Sequence, residues 1–246
     1  MGGGTVIVPA LYYAFTALRL GGEGNLHTAV GSSLAVIIAT ALRSLGAHRR
    51  QGAVDEAVLR AWTPWVGLGA LAGAAAAGLF SEGGLSIVYA GVVLVVAAQM
   101  GLGRESWRLR SDLPTGWLRR GLGGLIGALS ALMGVGGGAL GGMLMTLCGR
   151  PIHQAVATAS GFGVAIGVPA ALGFIVVGWS AEGRPPLSLG YVNVPAALVM
   201  ALVTGATAPF GARLAHRLPR PMLRRLFAAF LVITALTVVA KAVGAA

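Results

Sequence analysis

Two glycine-rich segments are the part of this sequence best suited to binding a small anion. A helix that begins directly after such a run presents unpaired backbone N–H groups and the positive end of its dipole, and this geometry binds anions. Glycine has no side chain to hold an oxyanion away from the backbone. We therefore predict that six glycines bind the substrate: Gly2, Gly3, Gly4, Gly136, Gly137 and Gly138.

Hydroxyl groups follow each glycine-rich run at a similar distance along the chain. Ser32 and Ser33 follow the first run, and Thr158 and Ser160 follow the second. Their hydroxyls can donate hydrogen bonds to the oxygens of an anion, so we predict that these four residues also contact the substrate. The alternative is that they bond to their own helix or to a neighbouring one, as Ser and Thr often do in apolar helices.

Long apolar runs without charges surround these residues and must position them. Only 10% of the residues are charged, against about 25% in soluble domains, and a membrane-spanning helix needs about 20 apolar residues. The sequence therefore predicts an all-α polytopic membrane protein and excludes a soluble domain, a disordered chain and a disulfide framework. The runs are Gly2–Leu18, Leu26–Leu42, Ala61–Ser81, Gly83–Gly103, Gly121–Gly149, Pro151–Ala181, Pro185–Ala212 and Leu226–Ala240.

The two halves of the chain share one pattern, a glycine-rich run followed by about three apolar spans. Membrane proteins with two such repeats, which bind substrate between the halves, are typical of secondary transporters. We predict a single integral membrane domain with a first repeat over residues 1–110 and a second over 111–246. The matching positions are Gly2–Gly4 with Gly136–Gly138, His27 with His153, and Ser32 with Thr158.

His27 and His153 are the only ionisable residues that the repeat matches. Histidine titrates near neutral pH, so we predict a proton-linked role for both, the alternative being an inert position at the membrane surface. All seven acidic residues lie outside the apolar runs, and the usual acidic proton relay of a transporter is therefore not expected.

The first repeat is predicted to be incomplete at its N-terminus. Residues 121–133 lead into the second glycine-rich run, whereas the first run begins at Met1. About a dozen residues that the repeat calls for are therefore missing. This indicates either a wrongly placed start or a truncated variant.

Clusters of arginine predict which loops face the cytoplasm. Three apolar runs separate the last two basic loops, whereas two loops on the same side of the membrane must be separated by an even number of crossings. Both loops can therefore be cytoplasmic only if Gly121–Gly149 does not cross the membrane. As one helix this run would be about 43 Å long, against an apolar core of about 30 Å. We predict instead a re-entrant hairpin that descends through Gly121–Gly134 and returns through Ala139–Cys148, which makes the two halves inverted repeats. The loops predicted to be cytoplasmic are residues 43–60, 104–120 and 213–225.

Most of the net charge of +11 lies in these loops, so nucleic-acid binding is not predicted. Arg43 directly follows the apolar run Leu26–Leu42 and begins the first basic loop. We expect its long side chain to reach the cytoplasmic face, and attraction of anions is the second interpretation.

The doubled motif resembles the sulfite exporter TauE/SafE family, also called TSUP. Its elements are a GxGGG run, here Gly134–Gly138, and an H-x-A-V-[GA]-[ST] helix start, here at His27 and His153. The resemblance covers essentially the whole chain, including the basic stretches 47–55 and 211–225. It implies export or uptake of a small sulfur-containing anion, such as sulfite, a sulfonate or a thiosulfate-like species, across the bacterial inner membrane without a cofactor.

We therefore predict a secondary transporter that works by alternating access, with the lipid bilayer and a small anion as partners. An anion channel or uniporter is the first alternative, because an anion site at helix ends serves both. A non-transporting membrane partner protein is the second, and a homodimer is left open. Catalytic and metal-binding residues are not predicted, because the spans contain no acid pair, metal-ligand cluster or nucleophile with a base.

Overall fold

The structure, a computed structural model, describes residues 3–22, 24–102, 110, 112–217 and 220–244. Apart from one short strand pair, the regular elements in these ranges are helices. In chain order the elements are α1 (Gly3–Ala17), α2 (Asn25–Arg50), α3 (Glu56–Ala77), α4 (Glu82–Leu102), α5 (Gly116–Leu132), α6 (Leu140–Leu147), α7 (Ile152–Val177), β1 (Ser188–Leu189), β2 (Val192–Asn193), α8 (Val194–Arg217) and α9 (Arg220–Gly244).

Three of the described helices are long and apolar enough to cross a membrane. These are α2, the Glu82–Gln99 part of α4, and α7. Helix α1 and the apolar parts of α8 and α9, Val194–Thr207 and Arg225–Ala240, are shorter. The predicted all-helical membrane architecture is confirmed at this level. Of the basic loops predicted to be cytoplasmic, residues 104–109, 111 and 218–219 lie outside the described ranges.

The helix break predicted at the second glycine-rich run is present. Helix α5 ends at Leu132, and the short α6 begins at Leu140. Gly134 in the connection has a φ of 62°, a left-handed conformation that glycine adopts without strain. The backbone N–H of Arg110, before α5, donates to the carbonyl of Leu147 at the end of α6, at 3.4 Å. The start of α5 and the end of α6 therefore lie side by side, as in a hairpin.

The predicted run Pro185–Ala212 does not begin as a helix. Ser188 pairs with Asn193 and Leu189 with Val192 in a two-stranded antiparallel ladder, so α8 begins only after the ladder. Gly190 makes the turn with a φ of 55°. Hydropathy predicts the apolar character of this segment, whereas its conformation depends on the proline pair at its start and on Gly190, which interrupt a helix.

Helices α2 and α7 lie at the centre of the fold and run antiparallel. A Cβ added at Gly163 of α7 would lie 2.8 Å from the Ala41 side chain of α2. Further along α7, a Cβ at Gly167 would lie 2.9 Å from Ile38. Because the residue numbers rise on one helix as they fall on the other, the start of α2 and the start of α7 lie at opposite ends of the pair.

Helices α3 and α5 approach closely through glycines on both sides. A Cβ at Gly127 of α5 would collide with the Val66 carbonyl oxygen and lie 2.7 Å from the Ala70 nitrogen. A Cβ at Gly73 of α3 would lie 2.7 Å from the Ala128 Cα. Small residues of this kind let helix backbones pack tightly in a membrane, and this packing holds the first arm of the hairpin in place.

We expect Gly127→Ala to lower the free energy of unfolding by about 1–3 kcal/mol, because the added methyl group must push two helix backbones apart. The measurement is a denaturant titration of the protein in detergent micelles. Gly124→Ala is the matched control, since a Cβ at Gly124 meets nothing within 4 Å. Equal losses for the two variants would contradict the proposed packing.

Candidate functional site

A cavity of about 260 Å³ lies where the two glycine-rich segments meet. Gly4 of α1 contributes to its wall from one half of the chain, and Gly136 and Gly138 of the α5–α6 connection contribute from the other. The C-terminal half of α2, the N-terminal half of α7 and Thr204 of α8 complete the wall. All of its lining residues are glycine, apolar or hydroxyl-bearing, and none is charged.

The start of α1 and the tip of the α5–α6 hairpin touch directly. A Cβ at Gly4 would collide with the Gly134 carbonyl oxygen and lie 2.8 Å from the Val135 Cα. Only glycine permits two backbones to approach this closely. The contact brings the glycine-rich segments of the two halves together. Both segments can face a single substrate only if they lie side by side in this way.

Two helices point their N-terminal ends at this cavity. Helix α1 begins at Gly3 beside it, and α6 begins just after Gly138. Within the described residues, the backbone N–H groups of Gly136, Gly137, Gly138 and Ala139 donate no hydrogen bond to backbone or side chain. Unpaired N–H groups and two positive dipole ends make this region favourable for a negative charge.

Four hydroxyl groups face the cavity, and they differ in what they already bind. The Thr40 hydroxyl donates to the Ile37 carbonyl at 3.1 Å, and the Ser160 hydroxyl donates to the Ala157 carbonyl at 2.6 Å. Those of Ser44 and Thr204 make no hydrogen bond with any described residue. The last two are therefore free to donate to a bound anion.

The chemistry of the cavity wall is that of a hydrogen-bond donor surface. The wall offers hydrogen-bond donors but no acid, base or thiol. Among the residues that the structure describes, no group of three or more His, Cys, Asp or Glu side chains could hold a metal ion.

Four of the predicted substrate residues line the cavity, namely Gly4, Gly136, Gly138 and Ser160. Gly137 lies in the same connection but packs against α7, where an added Cβ would lie 3.0 Å from Ile166. Gly3 begins α1, and Gly2 lies outside the described residues.

Ser32 and Thr158 do not line the cavity, and their hydroxyls accept corresponding hydrogen bonds. The backbone N–H of Asn193, just before α8, donates to Ser32 Oγ at 2.8 Å. The backbone N–H of Asp55, just before α3, donates to Thr158 Oγ1 at 2.9 Å. We call these bonds the two hydroxyl clamps, because each ties a central helix of one half to a helix start in the other.

Both residues that donate to the clamps also cap the helix that follows them. The Asp55 carboxylate accepts from the Val58 N–H at 3.1 Å, and the Asn193 amide oxygen accepts from the Ala196 N–H at 2.9 Å. Such caps satisfy N–H groups that a helix start otherwise leaves unpaired. Each clamp therefore fixes a capped helix end.

Ser33 supports the hairpin tip rather than the cavity wall. Its buried hydroxyl donates to the Gly134 carbonyl at 2.7 Å. This bond satisfies a carbonyl that the helix break leaves without an intrahelical partner, and it ties α2 to the α5–α6 connection.

The two matched histidines lie in different surroundings. His27 is buried, its Nε2 donates to the Ala77 carbonyl at 3.1 Å, and its ring stacks on Tyr191 with centroids 5.0 Å apart. His153 is exposed at the start of α7. Neither lines the cavity, and their proton-linked roles remain predictions.

Thr40, Ser44 and Thr204 line the cavity but were not predicted from the sequence, because the prediction used only hydroxyls that recur in both repeats. Helical spacing would have found two of them. Ser33, Ile37, Thr40 and Ser44 follow one another at three- and four-residue intervals, which places them on one face of a helix. Thr204 has no such signal in the sequence.

Comparison with known proteins gives one family and one curated relative. The sequence profile of the family described as sulfite exporter TauE/SafE matches residues 1–238. A protein of Haemophilus influenzae named "Probable membrane transporter protein" is 30% identical over 243 residues, which cover 98% of this chain and 91% of that protein. No solved structure matches this chain.

We expect Thr158→Val to lower the free energy of unfolding by about 1–3 kcal/mol, because it leaves the Asp55 N–H without an acceptor. Denaturant titration in micelles measures the change. Thr237→Val is the matched control: Thr237 is exposed and its hydroxyl bonds only to its own helix, so its effect should stay within about 0.5 kcal/mol. If the two variants lose the same stability, the clamp is not a stabilising contact.

Proposed function

Since the chain belongs to the sulfite exporter TauE/SafE family of membrane transporters, we propose that it moves a small sulfur-containing anion across the bacterial inner membrane by alternating access. Sulfite, a sulfonate and a thiosulfate-like species are the substrates that we consider. The observation that carries the proposal is the cavity between the glycine-rich segments of the two halves.

The cavity has the chemistry and the size that such a substrate needs. Free N–H groups next to Gly138 and free hydroxyls at Ser44 and Thr204 can replace part of the hydration of an oxyanion. Its volume of about 260 Å³ holds a small anion with several water molecules, at about 30 Å³ for each water. Each half of the chain contributes about half of the cavity wall. Movement of one half relative to the other would therefore change the shape of the site.

We infer that the two halves are inverted repeats, with α2 equivalent to α7, α3 to α8, and α4 to α9. Equivalent helices in such a pair must run in opposite directions, as α2 and α7 do. Helices α4 and α9 also do so, since Gly101 near the end of α4 lies beside Ala228 near the start of α9. The two hydroxyl clamps support the same relation, because the partners of one are the equivalents of the partners of the other.

We place the Arg50 end of α2 in the cytoplasm, because basic loops favour that side. In this orientation the cavity opens toward the cytoplasm, between the later part of α2 and the early part of α7. The opposite half is packed: a Cβ at Gly31 would collide with the Tyr191 carbonyl oxygen, and the Tyr191 ring meets Phe174 edge-on at 6.5 Å. We infer an inward-facing arrangement in which Tyr191 and its neighbours close the outer side.

Sulfite counterflow in proteoliposomes tests the proposed function. We expect uptake of labelled sulfite that saturates with concentration and is accelerated by unlabelled sulfite inside the vesicles. A channel would show neither property. The absence of protein-dependent flux for sulfite, a sulfonate and thiosulfate alike would contradict the proposed substrate class.

We further expect Gly138→Leu to reduce sulfite counterflow to background while leaving stability unchanged. A Cβ at Gly138 meets nothing within 4 Å, so the larger side chain would fill the cavity rather than disturb the packing. Gly121→Leu is the control, because a Cβ at Gly121 of α5 also meets open space but lies away from the cavity. Normal transport by the Gly138 variant would exclude this cavity as the substrate site.

A further inference from the structure

Arg43 neighbours a cavity-lining residue in the sequence, and its guanidinium reaches helix α8. Arg43 directly precedes Ser44, which lines the cavity from α2, and its Nη1 would lie 3.6 Å from a Cβ added at Gly205 of α8. Gly205 in turn directly follows Thr204, which lines the cavity from the other side. The side chain therefore extends from α2 across to α8, and the next residue on α2 and the preceding one on α8 carry the two free hydroxyls of the cavity wall.

This guanidinium is exposed and has no partner. Arg43 makes no hydrogen bond or ion pair with any residue in the described part of the chain. Arg49 and Arg150, by contrast, lie 2.7 Å from a Glu56 oxygen and 3.8 Å from an Asp55 oxygen. Since the cavity wall carries no charge, the charge of Arg43 is available to an anion that enters.

The guanidinium of Arg43 reaches a neighbouring helix, α8. Gly205 precedes the end of α8, Arg217, by twelve residues, which is about 18 Å along a helix. The contact with Gly205 thus places the charged group near the end of the apolar part of α8, Val194–Thr207, and before the end of the helix itself. Glycine at 205 leaves open the space that the guanidinium faces.

We infer that Arg43 binds the transported anion at the mouth of the cavity, an inference that rests on the proposed function. A guanidinium presents a planar pair of N–H donors that matches two oxygens of a sulfite or sulfonate group. Ser44 and Thr204 supply further donors beside it. The substrate class is therefore a small oxyanion with at least two oxygens on one face.

The test compares the KM for sulfite counterflow in Arg43→Gln, Arg43→Lys and a matched control, Arg50→Gln. Arg50 is exposed at the end of the same helix and does not line the cavity. We expect Arg43→Gln to raise KM about 10- to 100-fold, the loss of a hydrogen bond to a charged group. Arg43→Lys should fall between this variant and the wild type, because an ammonium keeps the charge but not the paired donors. Arg50→Gln should stay within about twofold of the wild type.

A second variant keeps the experiment decisive if Arg43→Gln does not fold. Gly205→Leu retains the charge but occupies the space beside the guanidinium, and we expect KM to rise for it as well. Arg43→Gln should melt at the wild-type temperature, because Arg43 has no hydrogen-bond or ion-pair partner among the described residues. Gly205→Leu should do so as well, because a Cβ at Gly205 meets only the end of the Arg43 side chain within 4 Å. Wild-type KM in both folded variants would overturn the role of Arg43 and leave the proposed function standing.

Anion-dependent thermal shifts separate this inference from the proposed function. If the wild type transports no sulfur anion, the proposed function is wrong, but the Arg43 site can still be tested. Sulfite, sulfate, phosphate and nitrate are then added in turn to the purified protein, and the shift in its melting temperature is measured. Stabilisation of the wild type that Arg43→Gln lacks would support the Arg43 site. Equal shifts in both proteins, or none with any of the four anions, would overturn it.

Discussion

A helix that is broken inside a membrane protein must find partners for the backbone groups that the break exposes, either in the protein or in a cavity that the break lines. The break between α5 and α6 is the feature on which the rest of this structure depends. One exposed carbonyl, that of Gly134, accepts a hydrogen bond from the Ser33 hydroxyl at 2.7 Å. Among the described residues, the N–H groups from Gly136 to Ala139 have no hydrogen-bond partner, and Gly136 and Gly138 line the cavity. Unsatisfied donors at this position favour an anion as their partner.

Holding the break in place requires close contacts that only small residues allow. The tip of the hairpin lies against Gly4, and its first arm lies against the glycines of α3. The hydroxyl clamps at Ser32 and Thr158 then tie the central helices to capped helix starts in the opposite half. Tight glycine contacts and buried hydrogen bonds thus form the rigid part of the molecule, and the open cavity lies between the parts that they hold.

The architecture could be predicted from the sequence more fully than the contacts between residues could. Hydropathy and the arginine clusters led to an all-helical membrane protein with a break near Gly136, because helix length and glycine content are local properties. The repeat identified Ser32 and Thr158 as equivalent, and the structure gives them equivalent bonds, yet to backbone N–H groups far along the chain. Such partners depend on tertiary packing, which no spacing within the repeat reveals. Thr204 could not be predicted for the same reason: it lines the cavity because of where α8 packs, and no motif in the sequence marks it.

The central claim is that the anion binds between the glycine-rich segments of the two halves. An experimental structure of the protein with selenite, a sulfite analogue whose selenium can be located by anomalous scattering, tests this claim most directly. We expect a selenium peak in the cavity between Gly4 and Gly138, within hydrogen-bond reach of Ser44 and Thr204. A peak found only at the basic loop after α2, with the cavity empty in a protein that transports selenite, would contradict it.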